Sequence, residues 1–180
     1  MLALTHSVFT LAVMEVVIDF ESLIGAVNEV VIKELAIAAE DVLHTFHFKR
    51  PYHMAPHASD ANGLSWDDGI VDYADLATVL VDVVTNYAHL YAYGADKCAM
   101  ISDLIKRPIN DLTKFNCPSP NSFKPETRCW MPCHRFPNLS CAAAHAQAYF
   151  KWLQHHLQDK AYVRCPKEHT RHAASFLAAI

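Results

Sequence analysis

The spacing of apolar positions changes period several times along this chain, and each change marks an element. Residues Val16-Val-Ile-Asp-Phe-Glu-Ser22 form a nearly continuous apolar run holding two carboxylates, which reads as a buried strand. Gly25 to Asn28 supply turn chemistry, and Glu29 to Ala39 are apolar and β-branched enough for a second strand. A Glu40-Asp41 turn leads into Val42 to Phe48, which alternates with the two-residue period of a third strand. Breakers at Pro51, Pro56, Asn62-Gly63 and Asp67-Asp68-Gly69 make residues 51–71 a loop. Asp72 is the expected N-cap of a helix running from Tyr73 to about Tyr87, with Leu76, Val79, Leu80, Val83 and Val84 at helical spacing. His89 to Tyr93 is a short strand ending at Gly94, and Asp96 to about Lys106 a helix closed by Arg107-Pro108. Ile109 to Leu112 is a brief fifth strand, residues 114–140 an irregular stretch, and Cys141 to Leu157 a helix containing Tyr149, Trp152 and Leu153. Residues 161–180 read equally as strand or helix.

The order β-β-β-α-β-α-β-α gives an α/β fold: three hairpin-linked antiparallel strands, then crossovers that extend the sheet in parallel, flanked by helices. A length of 180 residues suits one domain with a core that needs no disulfides. Residues 14–160 are the expected domain, with 1–13 an N-terminal and 161–180 a C-terminal extension. With 52% hydrophobic residues, 19% charged residues and only 4 glycines, the composition is that of a globular chain. A net charge of −4 argues against a basic nucleic-acid coat, although His47-Phe-Lys-Arg50 can meet a phosphate backbone locally. Residues 1–13 are apolar but lack a basic start and a small-residue cleavage site, and fall short of the ~20 apolar residues of a spanning helix. No membrane association is expected. The six cysteines then point to a reducing intracellular compartment, cytoplasmic or nuclear, where thiols and metal ligands prevail over disulfides.

The sharpest chemistry lies in the first strand. Asp19 and Glu21 are two residues apart, so both point to one face and can converge. Like charges that close repel unless a cation or a proton sits between them. Oxygen-only ligation favours Mg²⁺ or Mn²⁺, the ions that activate water in phosphodiester hydrolysis. The plainer alternative is a strand end facing solvent.

An Asp-x-Glu on the first strand of this element order resembles the ribonuclease H-like fold and, within it, the DEDD 3′–5′ exonucleases. More narrowly, residues 16–157 resemble a set of exonuclease-like proteins of arthropod genomes, some associated with mobile or viral elements. The match rests on Val17-Ile-Asp-Phe-Glu-Ser22, Lys33-Glu-Leu-Ala-Ile37, Tyr93-Gly94, Phe115-Asn-Cys-Pro118 and Cys141-Ala142. The resemblance implies four acidic residues holding two metal ions and a His or Tyr orienting water. Asp19 and Glu21 fill the first motif. The second should place an Asp near Met100, where Asp96 and Asp103 are the nearest acids. The third, His-x-Ala-x-x-Asp, aligns with Ser140-Cys-Ala-Ala-Ala-His145, so that His145 stands where a metal-binding Asp is expected. His134 is a further candidate for orienting water. These departures imply a degenerate nuclease or a one-metal remnant; the alternative is a catalytically inactive binding or scaffold protein. Nucleic acid and a protein partner are both candidate partners.

Cys117, Cys129, Cys133, His134 and Cys141 form a second cluster. Cys129-x-x-x-Cys133 has the short spacing of zinc ligands, and a structural zinc on three thiolates and a fourth donor would staple a proline-rich stretch. Against it stands the reading of Cys117 and Cys141 as small buried hydrophobes. Trp66, Trp130 and Trp152 are candidates for base stacking, with Trp152 placed in the core by its register with Tyr149 and Leu153.

Overall fold

A computed structural model describes residues 14–53, 63–123 and 141–164, with side chains to residue 158. Five strands form one mixed sheet: β1 (Glu15–Ile24), β2 (Val30–Ala39), β3 (Val42–His47), β4 (His89–Ala92) and β5 (Asn110–Asp111). Their spatial order is β3-β2-β1-β4-β5. The first three pair antiparallel, and β4 and β5 join in parallel. The expected α/β architecture and its strand directions are therefore present.

Alternation along the central strand sorts its side chains between two layers. Val16, Ile18 and Phe20 face one apolar cluster with Leu35, Ile37, Leu80, Val84, Cys98 and Ile101, which is covered by α1 (Leu76–Val84) and α2 (Ala95–Ile105). Val17 faces the other, with Ala36, Ala38, Ala146, Tyr149 and Leu153, under α3 (Ala142–Arg164). Small residues on β2 let α3 approach the sheet closely. Asp19 and Glu21 continue the Val17 face and are almost fully buried. They do not end a strand in solvent.

The β1–β2 pairing slips after Glu21, which lies opposite Glu34, while Ser22 lies opposite Ile32. Lys33 is the extra residue of this bulge, and bulges re-aim side chains. Its ammonium, buried, reaches the carbonyls of Trp66 (2.9 Å) and Asp68 (2.7 Å) and lies against the Trp66 ring. That fastens the loop after residue 63 to the sheet and buries Trp66 beside Leu23, Val31 and Tyr52. Trp66 therefore packs in the core and offers no face for base stacking. Trp152 packs against the α3-side core as its register suggests and stacks on His156, and Trp130 lies outside the described residues. Gly69 closes the same loop at φ 132°, and a Cβ there would stand 2.3 Å from the Phe48 carbonyl.

Two sequence expectations need correction. Asp72 does not cap the first helix; its carboxylate accepts from Lys49 Nζ at 2.8 Å instead, and a 3₁₀ turn over Tyr73–Asp75 leads into α1. The last helix runs on through Arg164, past its expected end at Leu157. Residues 1–13 and 165–180 lie outside the described residues. Among the described residues, no helix is long and apolar enough to cross a membrane.

Candidate functional site

The two acids of β1 meet side chains from both helical layers. His145, in the first turns of α3, places Nδ1 3.3 Å from Asp19 Oδ2 and 3.5 Å from Glu21 Oε1. Lys97, in the first turn of α2, donates to Asp19 Oδ1 at 2.6 Å and to the Phe20 carbonyl at 2.7 Å, its stem crossing the Phe20 ring. Asp19 is 1% exposed, and its Oδ2 has no well-directed hydrogen bond in spite of the nearby imidazole. The like-charge problem posed by Asp19 and Glu21 is thus met by the protein's own cations.

Burial alone would push the His145 imidazole down, but contact with Asp19 and Glu21 outweighs it and lifts the ring to about 9. At neutral pH His145 is then an imidazolium, and two carboxylates face two cations. Beyond this cluster the Tyr93 and Tyr149 rings stack, with centroids 4.9 Å apart, and Phe123 meets Tyr149 edge-on. Burial, with the negative charge of Asp19 behind it, raises the Tyr149 hydroxyl far above the ordinary phenol. Tyr93 and Phe123 are partly buried against the cluster under α3.

Glu34 sets the position of His145. It is fully buried on β2, and its Oε2 accepts the Ala142 amide at 3.1 Å while Oε1 lies 3.7 Å from the Cys141 thiol. A carboxylate there satisfies an orphan amide of the helix start and complements the positive end of the helix dipole. His145 follows within one turn, its amide bonded to the Cys141 carbonyl. The visible sign in the sequence is a charge inside the apolar run of β2.

The other expected site residues lie elsewhere. Asp96 and Asp103 are both solvent-exposed, and Asp103 pairs with Lys106. Adjacent helical residues point about 100° apart, so the turn that aims Lys97 inward aims Asp96 outward. Met100 packs against the apolar cluster below α1 and α2. The buried acid near this turn is Asp111, which sequence reasoning passed over. It accepts the amides of Gly94 and Thr113, both at 3.0 Å, and holds the β4–α2 turn, where Gly94 adopts φ 94°. Burial works against its ionisation, yet the bonds from Thr113 and Gly94 prevail and hold it below the usual range.

Cys117 is buried in the apolar cluster under α3, where burial lifts its thiol to about 12, and Cys141 is buried with its thiol against Glu34. Cys129, Cys133 and His134 lie outside the described residues. Among the described residues, the one group of three potential ligands that comes together is Asp19, Glu21 and His145, with donor atoms within 4.8 Å of one another. Comparison with known proteins brings no match: no family model, curated protein or solved structure is significantly similar to this chain.

Proposed function

We propose that this chain is a ribonuclease H-like protein of the 3′–5′ exonuclease type that has lost two-metal hydrolysis and is retained for binding, with single-stranded nucleic acid as the ligand. Support for the fold comes from the strand order β3-β2-β1-β4-β5, antiparallel and then parallel, with the acidic pair on the central strand. The observation that carries the loss of hydrolysis is Lys97, whose ammonium bonds Asp19 directly.

Two Mg²⁺ ions bring four positive charges and demand hard oxygen donors in near-octahedral sets. The residues present do not fit that pair. Two carboxylates already balanced by Lys97 and His145 offer no spare negative charge, and neither Asp96 nor Asp103 joins them. Tyr93 and Phe123, partly buried beside the cluster, support a binding role through the ring surface they leave uncovered, since every base presents a face to an aromatic ring.

The test uses end-labelled single-stranded DNA and RNA with purified protein and Mn²⁺. The expected result is binding by fluorescence anisotropy with no shortening from the 3′ end, and weaker binding in Tyr93→Ala. Shortening that disappears in Asp19→Asn would overturn the loss of hydrolysis. Failure to bind either strand would move the reading to a protein scaffold.

A further inference from the structure

We propose that the open side of the sheet is a docking surface for residues 1–13 of this chain, with Leu2 to Val8 laid along β3 as an added strand and Phe9 to Val13 crossing the β2–β3 turn at the mouth of a groove under α3. This surface lies away from the acidic cluster, and its occupancy does not depend on nucleic-acid binding.

An unprotected edge is the first support. β3 ends the sheet, and among the described residues no strand pairs with its outer side. Its sequence, Val42-Leu-His-Thr-Phe-His47, holds no Lys, Asp, Glu or Pro, and its register with β2 runs without a bulge. Charge, proline and bulges are the devices that normally turn a further strand away. The Phe48 amide bonds the Lys33 carbonyl at 2.9 Å, and alternation along an antiparallel pair then turns the backbone groups of Leu43, Thr45 and His47 outward. His47 bears this out, since its carbonyl accepts the amides of Ile70 and Val71 from outside the β2–β3 pair. Leu43 and Thr45 therefore offer N–H and C=O groups to an incoming strand.

An apolar groove at one end of that edge is the second support. Ala38, Leu43 and Phe150 line a groove of about 240 Å³ between the β2–β3 hairpin and α3, with Asp41, Lys151 and Gln154 also lining it. Val42, Leu43 and Met14 are exposed. Val17 lies opposite Ala38 and Ala39 opposite Val42, so the register gathers all three at the same end of the sheet.

The length of chain before Met14 and the point where it joins select the occupant. Residues 1–13 enter β1 at this end, and none of them is Lys, Arg, Asp or Glu. By contrast, residues 165–180 bring Lys167, Glu168 and Arg171. From β1 to a position outside β3 is three strand spacings, about 14 Å, which about four or five extended residues span. The remaining residues match the length of β3, Val42–His47. A segment running along β3 toward the turn and then into β1 is antiparallel to β3, and so needs no long crossover.

The test is amide hydrogen exchange by NMR on the full chain. The Leu43 and Thr45 amides should exchange roughly tenfold or more slowly than in Phe9→Asp/Leu11→Asp, while Ile18 and Leu35 in the sheet centre stay equally protected in both and report that the variant is folded. Should that variant fail to fold, a benzophenone amino acid in place of Phe9 decides, with photocrosslinks expected within one chain to Leu43 or Phe150. Leu43 and Thr45 amides exchanging at the unprotected rate in the parent, or protection unchanged in the folded variant, would overturn the proposal. So would protection that rises with protein concentration alongside a dimer mass, which assigns the edge to a second copy. Protection lost only in Phe176→Asp/Leu177→Asp would overturn it in favour of the C-terminal segment, and a Phe9 crosslink between chains in favour of a second copy.

Discussion

Lys97 decides what the acidic pair is, and it was the residue least visible in advance. The expected acid belongs near Met100, three residues later and so on the same side of α2. A lysine one turn earlier covers that side with a longer reach, and its ammonium sets a fixed internal charge beside Asp19. By contrast, strand alternation made the shared face of Asp19 and Glu21 legible, while His145 entered only through the exonuclease resemblance, and its approach to them depends on how α3 docks. Removing one partner of a buried pair strands the other, so Lys97→Met should destabilise the protein by roughly 2–4 kcal/mol, discounted for the partly exposed ammonium. Urea titration of Lys97→Met, Asp19→Asn and the double variant checks this. The double should cost less than the two singles added together; simple additivity would mean that the pair is not coupled.

At the scale of elements, the strands were readable because their periods are local, while the docking of α3 was not. It depends on Glu34, a carboxylate that looks like an error in an apolar strand until Ala142 is placed above it. Glu34→Ala leaves a buried helix amide without an acceptor and should cost about 1–3 kcal/mol. Glu34→Gln keeps an acceptor and should cost less, and far-UV dichroism with urea melts separates the two. Because Glu34 fixes the start of α3, Glu34→Ala should also loosen the contact between His145 and Asp19, seen as a fall in the imidazole pKa by NMR. An unchanged His145 resonance would show that Glu34 only caps. The bulge at Lys33 was hidden for a similar reason: a loop distant in sequence supplies its acceptors. Lys33→Met removes that fastening and should expose Trp66, shifting its fluorescence to the red, while the sheet keeps its dichroism.

Across the whole molecule, several buried titratable groups act on one stability curve, and their signs can be worked out separately. His145 has its folded value raised from 6.5 to about 9. The native state therefore holds a proton that the unfolded chain has released between those values, so this contribution is full below pH 6.5 and lost on the way to 9. Burial raises the Cys98 thiol to about 11 and Cys117 to about 12, both from 9.0, and these likewise favour the native state less as pH climbs above 9. Lys33 runs the other way. Burial lowers it from 10.5 to about 8, so the unfolded chain binds the extra proton and stability gains between 8 and 10.5. On the acid side Asp111 is held low, and its contribution disappears as pH falls through its folded value. Urea midpoints measured in chelator from pH 4 to 10 should thus be highest near pH 5–6.5, drop from 6.5 to 8, level off between 8 and 9 where Lys33 offsets His145, and drop again above 9 as the two buried thiols outweigh Lys33. His145→Gln should flatten the segment from 6.5 to 9 while leaving the alkaline limb alone, and Lys33→Met should steepen that limb. A parent curve level from pH 6.5 to 9 would mean that the imidazolium does not hold the two acids together. The charge balance behind the proposed loss of two-metal chemistry would then fail with it.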